Sequence, residues 1–134
     1  MSKNSLENLS EASHSIPLSE AVAMTERYRK NRDAILKEEY QYSDILPLNE
    51  TFNKDYILKM LSVEKAVGMR VYYGMSEDLE VHAILVAVGE DGEDILPPVN
   101  PGNGNVGDDP AATILEDAVR CPTECPPPSP LNKG

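Results

Sequence analysis

Cys121 and Cys125 stand four residues apart in the run Cys121-Pro122-Thr123-Glu124-Cys125-Pro126-Pro127-Pro128. Two sulfurs at that spacing admit three kinds of behaviour. Two thiolates from each of two chains would complete a four-ligand zinc site, because within one chain only His14 and His82 remain to add nitrogen ligands. A disulfide is the second, redox-sensitive and held mostly open in a reducing cytoplasm. It requires Cα atoms closer than about 7 Å. In a polyproline II segment the two positions would lie about 12 Å apart, whereas a turn with Pro122 at its second position brings them within reach. The third is a tail whose cysteines serve attachment or no chemistry, and the weakness of a spaced pair as a motif favours it.

A second candidate group lies in a strand pattern. His82 interrupts an apolar run, and its neighbours depend on the length of the loop before it. With a four-residue loop over Ser76-Glu77-Asp78-Leu79, His82 falls opposite Tyr73. With an odd loop it falls opposite Tyr72 and shares a face with Arg70, because a slip of one residue moves every side chain to the other face. The odd arrangement would gather Arg70, Tyr72 and His82 into a polar cluster for a carboxylate or phosphate. A structural histidine bonded to a tyrosine or carboxylate is the plainer alternative, since no nucleophile or second acid can be placed beside it.

Other patterns yield less. Glu90-Asp91-Gly92-Glu93-Asp94 lacks the alternating oxygen ligands and closing glutamate of a calcium loop. No lysine follows Gly102, Gly104 or Gly107 as a phosphate-binding loop requires, and no serine has a nucleophile-elbow setting. No catalytic residue emerges, and the reading leans away from an enzyme.

The elements that must position these residues follow from periodicity. Residues 1–15, rich in Ser, Asn and Glu, predict a flexible arm. From Pro17, the residues Leu18, Ala21, Val22, Thr25, Tyr28, Arg29, Arg32, Ile35 and Leu36 recur at helical intervals, with Glu20, Glu26, Arg27, Lys30 and Asp33 on the other face. The pattern breaks near Asn31. A second helix begins after an Asn53 N-cap, with Asp55 in its first turn and Ile57, Met60 and Leu61 on one face. Beyond Gly68 the period becomes two. Residues 69–75 and 80–89 read as a hairpin, and 93–96 as a short edge strand after a Gly89–Gly92 turn. The run Ala83 to Val88 is apolar on both faces and predicts a central strand covered on each side. Residues 97–110, crowded with Gly, Pro and Asn, read as a linker, with a marginal helical stretch over 111–119.

Composition narrows the partners. The chain has 134 residues and a formal net charge of -11, of which -7 falls on residues 16–96. Nucleic-acid binding depends on Lys and Arg neutralising phosphates, so DNA, RNA and anionic membrane surfaces are disfavoured. No run approaches the roughly 18 to 20 apolar residues that span a bilayer. The N-terminal residues show no signal-like apolar segment, so a cytoplasmic protein is expected.

Arg70-Val71-Tyr72-Tyr73-Gly74-Met75, the strand Ala83 to Gly89, Asp91-Gly92, Asp94-Ile95-Leu96 and the Cys-Pro tail through Leu131-Asn132 together resemble a family of small uncharacterised bacterial proteins. That resemblance covers the C-terminal two thirds. It implies a bacterial cytoplasmic origin and a shared α+β fold, with no known activity and no catalytic residue to transfer.

The expectation is therefore an α+β protein, with an arm at 1–15 and a domain at 16–96 in which two N-terminal helices pack on a small antiparallel sheet. A flexible acidic tail at 97–134 carries the cysteine pair. Its leading role is a non-catalytic interaction or adaptor module acting through self-association or a protein partner. The alternative is a small metal- or anionic-ligand-binding protein, or an enzyme, using Arg70, Tyr72 and His82 or a zinc held by Cys121 and Cys125.

Overall fold

A computed structural model describes residues 4–97, 99–100, 105–106 and 114–133. Expectations that fall on residues 1–3, 98, 101–104, 107–113 and 134 lie outside the described residues. The described chain is α+β with antiparallel pairing throughout. It divides into two compact units that interleave in sequence. The first comprises residues 1–13, 52–73 and 83–117, and the second 14–51, 74–82 and 118–134.

In the first unit, helix α2 spans Lys54–Leu61. Asn53 caps it by accepting the Asp55 N–H at 2.8 Å, which satisfies one of the donors that a helix start leaves unpaired. Strands β2 (Ala66–Met75), β3 (Val81–Gly89) and β4 (Asp94–Ile95) form a sheet in the order β2-β3-β4. Ala87 faces Ile95 and Val88 faces Asp94. The expected central strand is β3, whose residues 85–89 are all buried. Met60 packs with Leu85, Ala87 and Leu115 to form the core, and Phe52, Ile57, Ala66, Ala83 and Ile95 surround it.

Two parts of this unit differ from the sequence expectation. Residues 114–118 are not helical. Leu115 exchanges both backbone hydrogen bonds with Leu85, at 3.0 and 2.8 Å, and its burial in the core outweighs a helical propensity that was marginal in isolation. The N-terminal stretch forms a 3-10 helix, Leu6–Glu11, with Leu6 and Leu9 three residues apart and turned to one side. A Cβ at Gly68 would stand 2.9 Å from Leu9 Cδ2, so the absence of a side chain admits that leucine. Gly92, at φ +78 in the β3–β4 turn, adopts the left-handed backbone that glycine tolerates best.

In the second unit, helix α1 spans Leu18–Asn31 and stops where the periodicity breaks. Two polar anchors tie it to the following loop: Tyr28 Oη donates to the Pro47 carbonyl at 2.6 Å and Arg32 Nη1 to the Leu46 carbonyl at 2.5 Å. Strand β1 (Asn49–Thr51) pairs with β7 (Val119–Cys121), with Asn49 opposite Cys121 and Glu50 opposite Arg120. This sheet was not legible in sequence, and it draws residues assigned to a tail into a folded unit. Arg29 donates from Nη1 to the Leu131 carbonyl and from Nη2 to the Lys133 carbonyl, both at 2.6 Å. At the hairpin tip, Ser76 N–H meets the Glu80 carbonyl at 3.0 Å, which leaves three loop residues, the last being Leu79 at φ 66. Strands β5 (Val99–Asn100) and β6 (Asn105–Val106), which belong to the first unit, make a separate antiparallel pair.

Candidate functional site

In the first unit, β2 alternation puts Arg70 and Tyr72 on one face, and the Gly89–Gly92 turn sets Asp94 at the start of β4. Arg70 Nη1 donates to Asp94 Oδ1 at 2.6 Å and Nη2 to the Gly92 carbonyl at 2.9 Å. The Tyr72 phenol donates to Asp94 Oδ2. A β2 residue can reach β4 only across β3, so these polar groups extend over the central strand. Both carboxylate oxygens are engaged, as are both guanidinium ends.

Electrostatics here follow the hydrogen bonds. The Tyr72 phenol, then the Arg70 guanidinium, holds the Asp94 carboxyl below its ordinary range, with partial burial working the other way. The Asp94 carboxylate in turn pushes the Tyr72 phenol up. A depressed carboxyl contributes stability that is present above its unfolded value, about 4, and is lost as pH falls through the folded value. A raised phenol contributes stability below about pH 10 that is lost as pH rises through its folded value. Thermal unfolding across pH should therefore show Asp94→Asn flattening the acid limb and Tyr72→Phe flattening the alkaline limb. Limbs unchanged from the parent chain would mean that the cluster contributes nothing to folding.

His82 has a different partner. In the second unit its Nδ1 lies 3.0 Å from Glu50 Oε2, so Arg70 and Tyr72 share one carboxylate while His82 meets another. The Glu50 side chain is 6% exposed and also receives Arg120 Nη1 at 3.4 Å. Arg120 Nη1 further donates to the Val81 carbonyl, and Nη2 donates to the carbonyls of Asp44, at 2.6 Å, and Ile45, at 3.0 Å. A buried charge is tolerated when it is paired and hydrogen-bonded in this way. Two buried atoms of the same region, Arg120 Nε and Asn49 Oδ1, have no hydrogen-bond partner among the described residues.

The cysteines form a disulfide, with Cα atoms 4.6 Å apart. The backbone bends at the place that the spacing requires: Pro122 and Thr123 make a turn closed by the Glu124 N–H to the Arg120 carbonyl at 2.9 Å. Cys121 is 3% exposed, and its carbonyl accepts the Leu48 N–H at 2.8 Å. Joined sulfurs are not thiolates, so a zinc clip on these residues requires the reduced form. Among the described residues, no group of three or more His, Cys, Asp or Glu is placed to hold a metal ion.

No family model, curated protein or solved structure matches the chain. On loop-closure entropy, the short ring closed by Cys121 and Cys125 should stabilise the fold by about 2 kcal/mol. Urea unfolding with and without a phosphine reductant measures it, and Cys125→Ser should reproduce the reduced curve. Coincident oxidised and reduced curves would show that the bond contributes no stability.

The sequence patterns missed Asp94, Glu50, Arg120 and Arg29 as partners. Arg120 carried a signal, a lone charge directly before a cysteine in Val119-Arg120-Cys121, a strand-like triplet. Asp94 carried another, an acid just after a glycine turn and before the apolar pair Ile95-Leu96.

Proposed function

We propose that this chain is a small non-catalytic interaction module whose docking element is strand β2, pairing with the same strand of a second copy. The observation that supports it is the outer side of β2. Among the described strands it is an edge of its sheet, and its alternate residues Met69, Val71 and Tyr73 are 43%, 40% and 78% exposed. An edge strand offers unpaired backbone donors and acceptors, and proteins that stay apart blunt such edges with charge or proline. β2 has neither device. Its one charged residue is Arg70, which is already bonded to Asp94. In a chain of net charge -11, this is a place where two copies can meet without setting acid against acid.

A two-fold antiparallel pairing makes the contact isologous and closes it as a dimer. Sedimentation equilibrium tests it. Tyr73→Lys should weaken the dimer about tenfold or more, the equivalent of about 1.4 kcal/mol, and Val71→Lys should act in the same direction. A parent chain that sediments as a monomer at every attainable concentration would overturn the reading.

The bacterial cytoplasmic setting is part of the same proposal and has a chemical condition. A disulfide persists in oxidising compartments, whereas the cytoplasm keeps thiols reduced. In the cytoplasm, Cys121 and Cys125 would therefore work as a thiol pair. No described helix is long and apolar enough to cross a membrane.

A further inference from the structure

The second unit contains a groove of about 490 Å³ lined by Val22, Glu26, Arg29, Lys30, Pro130 and Lys133. Helix α1 supplies four of these residues, because position 26 stands four from 22, three from 29 and four from 30, which puts all four along one side of a helix. The C-terminal segment supplies Pro130 and Lys133, and the two bonds from Arg29 to the carbonyls of Leu131 and Lys133 hold that segment against the helix.

The charges on this wall do not cancel. Glu26 and Lys30 neutralise each other through an ion pair of 2.8 Å. Arg29 spends both terminal nitrogens on backbone carbonyls, which are neutral acceptors, so its full positive charge stays uncompensated by them. Its Nε is buried and has no hydrogen-bond partner among the described residues. Lys133 adds a second cation to the same wall. The groove therefore presents a net positive site within a chain of net charge -11, with Val22 and Pro130 as its apolar surface. Its size falls within the roughly 300–1,000 Å³ of small-molecule sites.

We propose that this groove binds a small organic anion, with a phosphate or carboxylate head near Arg29 and Lys133 and a short apolar body against Val22 and Pro130. A long polyanion does not fit the same chemistry, because the acidic remainder of the chain would repel it. The site is independent of the β2 edge, so either proposal can fail alone.

Titration of the full chain with phenyl phosphate, benzoate and benzyl alcohol, followed by amide NMR, tests it. One or both anions should give saturable shifts at residues 26–30 and 130–133, and the neutral alcohol should not. Whichever anion saturates identifies the head group. Arg29→Gln would release the C-terminal segment as well as the ligand, so two other variants carry the test. Lys133→Gln should weaken binding about three- to fivefold, and Glu26→Gln, which frees Lys30, should tighten it by a similar factor, as expected for single surface charges. Saturation by neither anion, equal shifts with benzyl alcohol, or an affinity indifferent to both substitutions would overturn the proposal.

Discussion

Arg120→Met should destabilise the second unit by about 3–5 kcal/mol, the range for removing one partner of a buried ion pair. Three separate losses add to that figure. The Glu50 carboxylate, 6% exposed, loses a guanidinium. The carbonyls of Val81, Asp44 and Ile45 lose a donor. Strand β7 loses the side chain that fastens it to the 44–45 loop. Methionine keeps the apolar stem and much of the volume, so the cost isolates the polar head. Glu50→Gln should cost less, because the amide retains an acceptor and Arg120 keeps its three carbonyls. Urea unfolding of both variants tests the order. An Arg120→Met cost under about 1 kcal/mol, the value of an exposed pair, would show that the guanidinium is solvated rather than structural.

The same residue shows where sequence reasoning stops. Helices α1 and α2, the hairpin and the glycine turn were legible because each is written in local periodicity: Leu18 to Thr25 at helical spacing, Asn53 and Asp55 at a helix start, and alternation from Met69. The pairing of Asn49–Thr51 with Val119–Cys121 is not local. Two three-residue strands separated by 67 residues are too short to carry a period, and the second sits beside prolines that read as a tail. Leu115 departs from its expected helix for a related reason. Ile114, Leu115 and Ala118 fit a helical face, but a single bridge to Leu85 buries Leu115 at 8% exposure, and that contact was invisible locally.

The candidate residues divide in the same way. Arg70 and Tyr72 were recognisable as a pair because alternation alone puts them on one face, but alternation says nothing about the strand that supplies their acceptor. Asp94 stands in an acidic run without a calcium-loop pattern and in a short edge strand, and neither feature marks it as their acceptor. For His82 the sequence allows either a place in an anion cluster or a structural histidine bonded to a tyrosine or carboxylate. The structure gives it the carboxylate of Glu50, 32 residues away. For the cysteines, the requirement for a bend at Pro122 was derivable, but whether the chain bends there depends on β7 being anchored to β1, and so on the pairing that the sequence hid.

Met60→Ala should lower the stability of the first unit by about 2–5 kcal/mol, the range for emptying a filled core site. Met60 is 0% exposed and packs with Leu85, Ala87 and Leu115, which are 4%, 1% and 8% exposed. The core has no tryptophan and the chain only one phenylalanine, so a long thioether side chain fills space that an aromatic residue would otherwise occupy. The variant loses apolar burial and leaves a void that neighbouring backbone, fixed in β3 and its bridge to Leu115, cannot close. Two controls separate packing from helix propensity. Leu58→Ala on the same helix, where Leu58 is 56% exposed, should change stability by less than about 0.5 kcal/mol. Met60→Leu, close in volume, should cost less than about 1.5 kcal/mol. Hydrogen exchange at the Leu85 and Leu115 amides should quicken in Met60→Ala and stay near the parent rate in Leu58→Ala. If both alanine variants cost the same, helix α2 is held by propensity and capping, and the buried cluster around β3 is not what stabilises this unit.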